Sequence, residues 1–171
     1  MGSKSSGGWK IRENTIDGLL KYLPKDEYVV EIKTTNCKIK KPTKGFYKLD
    51  IVITCIKTES KIFLEVKKQN DRGNAHERGY KYLPFGGIAQ YIRGIIKADY
   101  YPVIVVFTGG MTSKSKYTNE IEMQYSNAEK AVFVYKGDPN TFISFVNEEI
   151  LPRINRNKID YEVPKAELLN V

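Results

Sequence analysis

The sequence predicts an α/β fold, a mixed sheet of about five strands flanked by helices. Apolar runs of strand length recur at residues 28–32, 46–56, 61–67, 102–107 and 131–135. Other segments carry apolar residues at helical spacing. From residue 46 onward the order is two strands followed by alternating helices and strands, which implies a sheet with helices packed on it.

Each element has a local reason. Residues 1–8, MGSKSSGG, are small and polar and read as a flexible tail or tag, leaving 9–171 as a single domain. Segment 13–22 spaces Ile16, Leu19 and Leu20 for a helix that continues to Leu23, with Asn14 as candidate cap and Pro24 as the stop. From Lys33 to Lys48 there are six lysines and no acid, with Pro42 and Gly45 as punctuation. That segment reads as a basic loop or an edge hairpin, either merely solvated or facing a polyanion. Strands 46–56 and 61–67 flank the polar turn 57–60 and form a hairpin. Residues 74–82 are helix-prone, Pro84 with Gly86 and Gly87 interrupts, and 88–97 resume with Ile88, Tyr91, Ile92, Ile95 and Ile96 on one face. The unbroken run PVIVVF at 102–107 predicts a central strand covered on both faces, ended by Gly109 and Gly110. Residues 119–125 are weakly helical, and AVFVY at 131–135 is a buried-type strand. Asp138 or Asn140 caps a last helix whose apolar face is Phe142, Phe145, Val146 and Ile150.

Composition narrows the function. The chain has 171 residues, about the size of one domain. Its 28 Lys and Arg against 20 Asp and Glu give +8, a charge that points to a polyanion, most simply nucleic acid. A hydrophobic content of 41% excludes global disorder. Two cysteines cannot make a disulfide framework, and no zinc ligand set surrounds them. Cys55 reads as a small core residue and Cys37 as a bystander. The longest uncharged stretch, 100–113, is too short to span a bilayer, and the N-terminus has no apolar signal core. The expectation is a basic, soluble, cytoplasmic protein.

Asp50 is a carboxylate inside an otherwise apolar strand, where an unpartnered charge is costly. Glu65 and Lys67 alternate on the next strand and so share a face. Hairpin pairing can bring Asp50 beside them. Two carboxylates and an ammonium suit a hard divalent cation such as Mg²⁺, which polarises a phosphate and acidifies a bound water. A plain cross-strand ion pair is the simpler alternative for Glu65 and Lys67.

Downstream, RGNAHER at 72–78 carries base-reading chemistry. Asn bonds adenine through N6 and N7, and Arg is the commonest reader of guanine. Gly73 permits close backbone approach. Asn74 opens a helix whose free N–H groups suit an acceptor. The alternative is a capping Asn followed by a solvated Glu–Arg pair.

Asp50, fourteen intervening residues and Glu65-Val66-Lys67 resemble the active-site signature of the PD-(D/E)XK nuclease superfamily, with Leu49 in place of its usual proline. Glu65-Val66-Lys67-Lys68-Gln69 followed by RGNAHER resembles type II restriction endonucleases of the EcoRI/MunI-like group, over approximately residues 48–107. The resemblance implies a PD-(D/E)XK restriction-endonuclease-like core. Asp50 and Glu65, with the Val66 carbonyl, would hold Mg²⁺, and Lys67 would position the attacking water. Asn74, Ala75 and Arg78 would read the inner A·T pairs of an AATT core. Glu77 would bridge to a partner subunit and hold the recognition arginines. Arg72 would read the outer pair, giving CAATTG. His76, the sole histidine, would lie near the DNA or the dimer contact rather than act as a base. Gln69, Lys68, Lys38, Lys40, Lys41 and Lys44 would contact the DNA backbone. Only Asn70 and Asp71 separate Gln69 from Arg72, so a DNA-wrapping arm there is missing or very short.

The implied activity is Mg²⁺-dependent cleavage of double-stranded DNA, leaving 5′ phosphates and 5′ overhangs. A palindrome calls for a homodimer, with segment 74–97 as its surface, and a cognate methyltransferase in the same system. The rival readings are a structure-specific repair or junction-resolving nuclease, a DNA-binding module without cleavage, and a basic scaffold domain.

Overall fold

The computed structural model of the protein describes residues 16–69, 75–84, 87–109, 123 and 131–155. The predicted tail, the Asn14 cap, Arg72, Gly73, Asn74 and nearly all of the weak helix at 119–125 lie outside them.

Five strands form the main sheet: β1 (Tyr28–Ile32), β4 (Ile51–Cys55), β5 (Lys61–Gln69), β6 (Val103–Gly109) and β7 (Val132–Val134), in the spatial order β1-β4-β5-β6-β7. β1 with β4 and β4 with β5 are antiparallel, whereas β5 with β6 and β6 with β7 are parallel. The mixed sheet of five strands matches the sequence expectation. β2 (Lys38–Lys40) and β3 (Phe46–Lys48) form a separate two-stranded hairpin. Its turn needs Gly45, whose φ of +96° is costly for other residues.

This corrects the expected single strand over 46–56. The chain leaves the small sheet at Lys48 and enters the main one at Ile51. Between them, the Leu49 N–H still donates to the Cys37 carbonyl, whereas the Asp50 N–H donates to the Leu64 carbonyl at 3.1 Å. Asp50 therefore sits at the mouth of β4, not within it. The basic segment is a hairpin, but it is not an edge of the main sheet.

The sheet has two apolar faces. Ile51, Ile53, Ile62, Leu64, Val66, Ile104 and Val106 point to one core. It is closed by α1 (Gly18–Leu20) and by the C-terminal helical run, α4 (Pro139–Phe145), a π turn (Val146–Ile150) and α5 (Leu151–Ile154). Asp138 caps α4, its Oδ1 accepting from the Asn140 N–H at 3.0 Å. Val52, Phe63, Val103, Val105 and Phe107 point to the other core, covered by α3 (Gly87–Ile96) and the small hairpin. Tyr91 on α3 ties the hairpin down by donating to the Lys40 carbonyl at 2.9 Å and packing edge-on against Tyr47.

Three packing expectations change. Ile95 points outward, 54% exposed. β7 is half-buried because it is the edge strand. Cys37 is buried, its thiol facing the Glu31 carbonyl. Cys55 is a core residue as expected, next to Asn155, whose amide donates to the Tyr28 hydroxyl at 2.8 Å.

Burial pushes the Tyr28 hydroxyl from 10.0 up to about 12 and also raises Tyr100. The unfolded chain ionises these phenols first, so stability present below pH 10 is lost as pH rises toward 12. Urea-unfolding midpoints should fall over that window, and Tyr28→Phe should shallow the fall.

Candidate active site

The site is built by the β4–β5 register. Ile51 pairs with Leu64, and one step further Asp50 lies across from Glu65. Asp50 shares the parity of Val52, and Glu65 and Lys67 share that of Phe63, so all three belong to the face of the second core. The predicted convergence is what the structure shows. Asp50 and Glu65 are 9% and 5% exposed, and the Lys67 side chain is 17% exposed.

Each group is held. Asp50 Oδ2 accepts the Val66 N–H at 2.9 Å, while its carbonyl accepts the Lys33 N–H at 2.9 Å. Lys67 Nζ donates to Glu65 Oε1 in an ion pair. One ammonium and two carboxylates leave a formal charge of −1 at the sheet end. That charge and a donor set of hard carboxylate oxygens fit a divalent cation. No group of three His, Cys, Asp or Glu side chains converges among the described residues, so two carboxylates, main-chain oxygen and water would form the shell.

Segment 75–82 closes the site from one side. α2 (Ala75–Gly79) packs on β5 and β6, and a 3₁₀ turn (Tyr80–Tyr82) follows it. Glu77 and Arg78 are exposed on α2, while the side chains of Ala75, His76 and Gln69 lie outside the described set. The predicted helix over 74–82 is thus a short helix and a turn. Tyr82, which closes that turn, is 5% exposed. Burial first, then the Glu65 and Asp50 charges, hold its hydroxyl well above its ordinary range, so it stays protonated. Lys67 Nζ lies 5.7 Å from the Tyr82 ring centroid. Nothing local in the sequence separates Tyr82 from the other eleven of the 12 tyrosines, because its role depends on where the turn folds.

Of the predicted backbone contacts, Lys38, Lys40 and Lys44 are exposed on the β2–β3 hairpin. Lys41 is half-buried with Nζ 5.2 Å from the Tyr47 ring centroid, and Lys68 is half-buried on the opposite parity from Lys67. Lys48, directly opposite Lys38, joins the exposed basic face.

A mixed sheet with two carboxylates and a lysine at one strand end is the arrangement of a nuclease core, and the chain is a site-specific DNA endonuclease of the type II restriction class. It belongs to the family of the type II restriction enzyme MunI, whose model matches residues 16–155. Among solved structures, the MunI restriction endonuclease in complex with cognate DNA shares the fold. Its TM-score is 0.59 at 22% identity, over 75% of this chain and 83% of that one. No curated protein matches the sequence. No helix among the described residues is long and apolar enough to cross a membrane.

Asp50→Ala removes the acceptor of a buried N–H and should lower unfolding free energy by about 1–3 kcal/mol. Asp50→Asn keeps an acceptor oxygen and should cost less. Urea titration of both variants compares them.

Proposed function

We propose that the protein is a Mg²⁺-dependent endonuclease that cuts double-stranded DNA at a palindrome with an AATT core, CAATTG as the full site. The observation that carries the reading is the convergence of Asp50, Glu65 and Lys67 on one buried face, next to the segment bearing Glu77 and Arg78. Asp50 and Glu65, with the Val66 carbonyl, are the residues that would hold the cation. When bound, the cation polarises the scissile phosphate and acidifies a water. Lys67 orients that water and neutralises charge growing on the phosphate. The water oxygen bonds to phosphorus, the bond to the 3′ oxygen breaks, and the products are a 3′ hydroxyl and a 5′ phosphate on 5′ overhangs.

Recognition is assigned to 72–78: Asn74, Ala75 and Arg78 to the A·T pairs, Arg72 to the outer pair, with Gly73 allowing close approach, His76 beside the DNA or the dimer contact and Glu77 bridging to a second copy. Exposure of Glu77 and Arg78 supports their reaching outside the chain. A palindrome read by halves calls for a homodimer, and the host's own sites for a cognate methyltransferase. The exposed face of the β2–β3 hairpin carries Lys38, Lys40, Phe46 and Lys48. Lys38 and Lys48 stand opposite each other, a pairing that is unfavourable by itself and relieved by a polyanion.

The test is plasmid carrying CAATTG sites, digested with and without Mg²⁺, with the ends sequenced. Discrete Mg²⁺-dependent fragments with AATT overhangs are expected. Lys67→Ala should bind and not cut, and Arg78→Ala should lose site selectivity. Random nicking, or normal cutting by Lys67→Ala, overturns the assignment.

Replacing Lys38, Lys40 and Lys48 together by Ala should weaken binding uniformly across sequences. The slope of log K against log salt should shrink by about 0.9 for each phosphate that the variant no longer neutralises. Binding isotherms at several salt concentrations measure both.

A further inference from the structure

We propose that Phe46 is a DNA-contact residue, the apolar centre of a docking face on the β2–β3 hairpin that packs on the sugars and bases of a duplex while Lys38, Lys40 and Lys48 meet its phosphates. The inference rests on the reading of the hairpin as a surface that meets DNA, and it adds to that reading a part of the grip that does not depend on charge.

Strand alternation defines the face. Ile39 and Tyr47 stand opposite each other and join the second core, Ile39 at 8% exposure. Lys38, Lys40, Phe46 and Lys48 share the other side, and all four are exposed. Lys40 is directly opposite Phe46, Lys48 is the next residue of β3 on that side, and Lys38 is the diagonal neighbour. A phenyl ring that is 52% exposed thus stands in a frame of three lysines.

The footing of the face is firm. The Leu49 N–H donates to the Cys37 carbonyl at 3.0 Å, both residues are buried, and the Tyr91 hydroxyl donates to the Lys40 carbonyl. Phe46 is therefore presented outward by a ribbon that the core pins from behind. Four residues separate it from Asp50, about 14 Å at most even for a fully extended chain. Whatever the ring touches lies close to the proposed cutting centre.

The frame selects the partner. Segment 33–48 holds six lysines and no acid, so a second copy of this face would set like charges against each other. A duplex neutralises the lysines and also offers apolar sugar and base surface between its phosphates, against which phenyl side chains pack in other DNA-binding proteins. The two kinds of contact leave different marks. Lysine–phosphate contacts release counterions and weaken with salt, whereas burial of a ring against sugar or base releases none.

The test follows the anisotropy of a fluorescein-labelled CAATTG duplex in EDTA at several salt concentrations. It compares wild type, Phe46→Ala and Phe46→Leu. Phe46→Ala should bind about ten-fold more weakly at every salt concentration, as taking the exposed half of a phenyl ring out of water would give. The slope of log K against log salt should stay that of wild type, and Phe46→Leu should recover most of the affinity. Calorimetric titration with inorganic polyphosphate, which has phosphates but no sugars or bases, should show wild type and Phe46→Ala binding equally. Equal duplex affinity in wild type and Phe46→Ala overturns the inference, and so does a smaller salt slope or an equal loss on polyphosphate. A lowered urea midpoint in Phe46→Ala overturns it too, since the ring would then be a support of the hairpin. If replacing Lys38, Lys40 and Lys48 together leaves duplex affinity unchanged, the reading of the hairpin as a DNA surface fails and the inference with it. If those replacements weaken binding and Phe46→Ala does not, the inference alone fails.

Discussion

The register of β4 on β5 is the constraint on which the site depends. β4 sends Ile51, Ile53 and Cys55 into one core and Val52 into the other, and all four are buried. A slip of one residue would exchange the faces of every one of these side chains and of the groups beyond them. With both faces of the sheet covered, that slip is heavily penalised. The same pairing that satisfies the cores therefore delivers Asp50 opposite Glu65 and onto the Val66 N–H. The position of the carboxylates follows from apolar packing some residues away, not from attraction between the polar groups.

That placement carries an electrostatic cost which the local structure meets in parts. Two carboxylates at low exposure would repel each other and lose hydration. One is anchored by a main-chain donor, the other by an ammonium. None of these partners removes the residual negative charge, and the site lies toward the carboxyl end of β5, where β5 and β6 run parallel. Open α/β sheets bind ligands at such strand ends because the chain leaves the sheet there and frees space for contact. An enzyme of the restriction class needs that combination, a rigid frame with unspent charge at an accessible edge.

Most of the frame was legible in the sequence because its signals are strong and local. PVIVVF could only be an interior strand, and it is β6. The acid–acid–lysine set was readable because alternation on a strand fixes faces without knowledge of the fold. The break at Leu49–Asp50 was not readable. FYKLDIVITCI is continuous in β propensity, and the split arises because Leu49 stays hydrogen-bonded to Cys37 while Asp50 has already joined Leu64. Ile95 fits the apolar stripe of its helix, yet nothing in the described structure covers it. Tyr82 was passed over for the opposite reason. Its chemistry is common, and only the 3₁₀ turn after α2 makes it particular.

The chain order around the site sets the segments proposed for contact and for cutting side by side. Immediately before Asp50 stands the lysine-faced β2–β3 hairpin, with only Leu49 between them. Soon after Lys67 comes α2 with Glu77 and Arg78, packed on β5 and β6. The surfaces proposed to meet DNA thus flank in sequence the pair of strands that brings the carboxylates together. Leu49 alone separates the small hairpin from Asp50, and α2 packs on β5, the strand of Glu65 and Lys67. Because α2 packs on β5, a duplex proposed to seat on α2 would meet Glu65 and Lys67 in that same frame, and one seated poorly would meet them out of line, an error that counts in the transition state, where catalysis is decided.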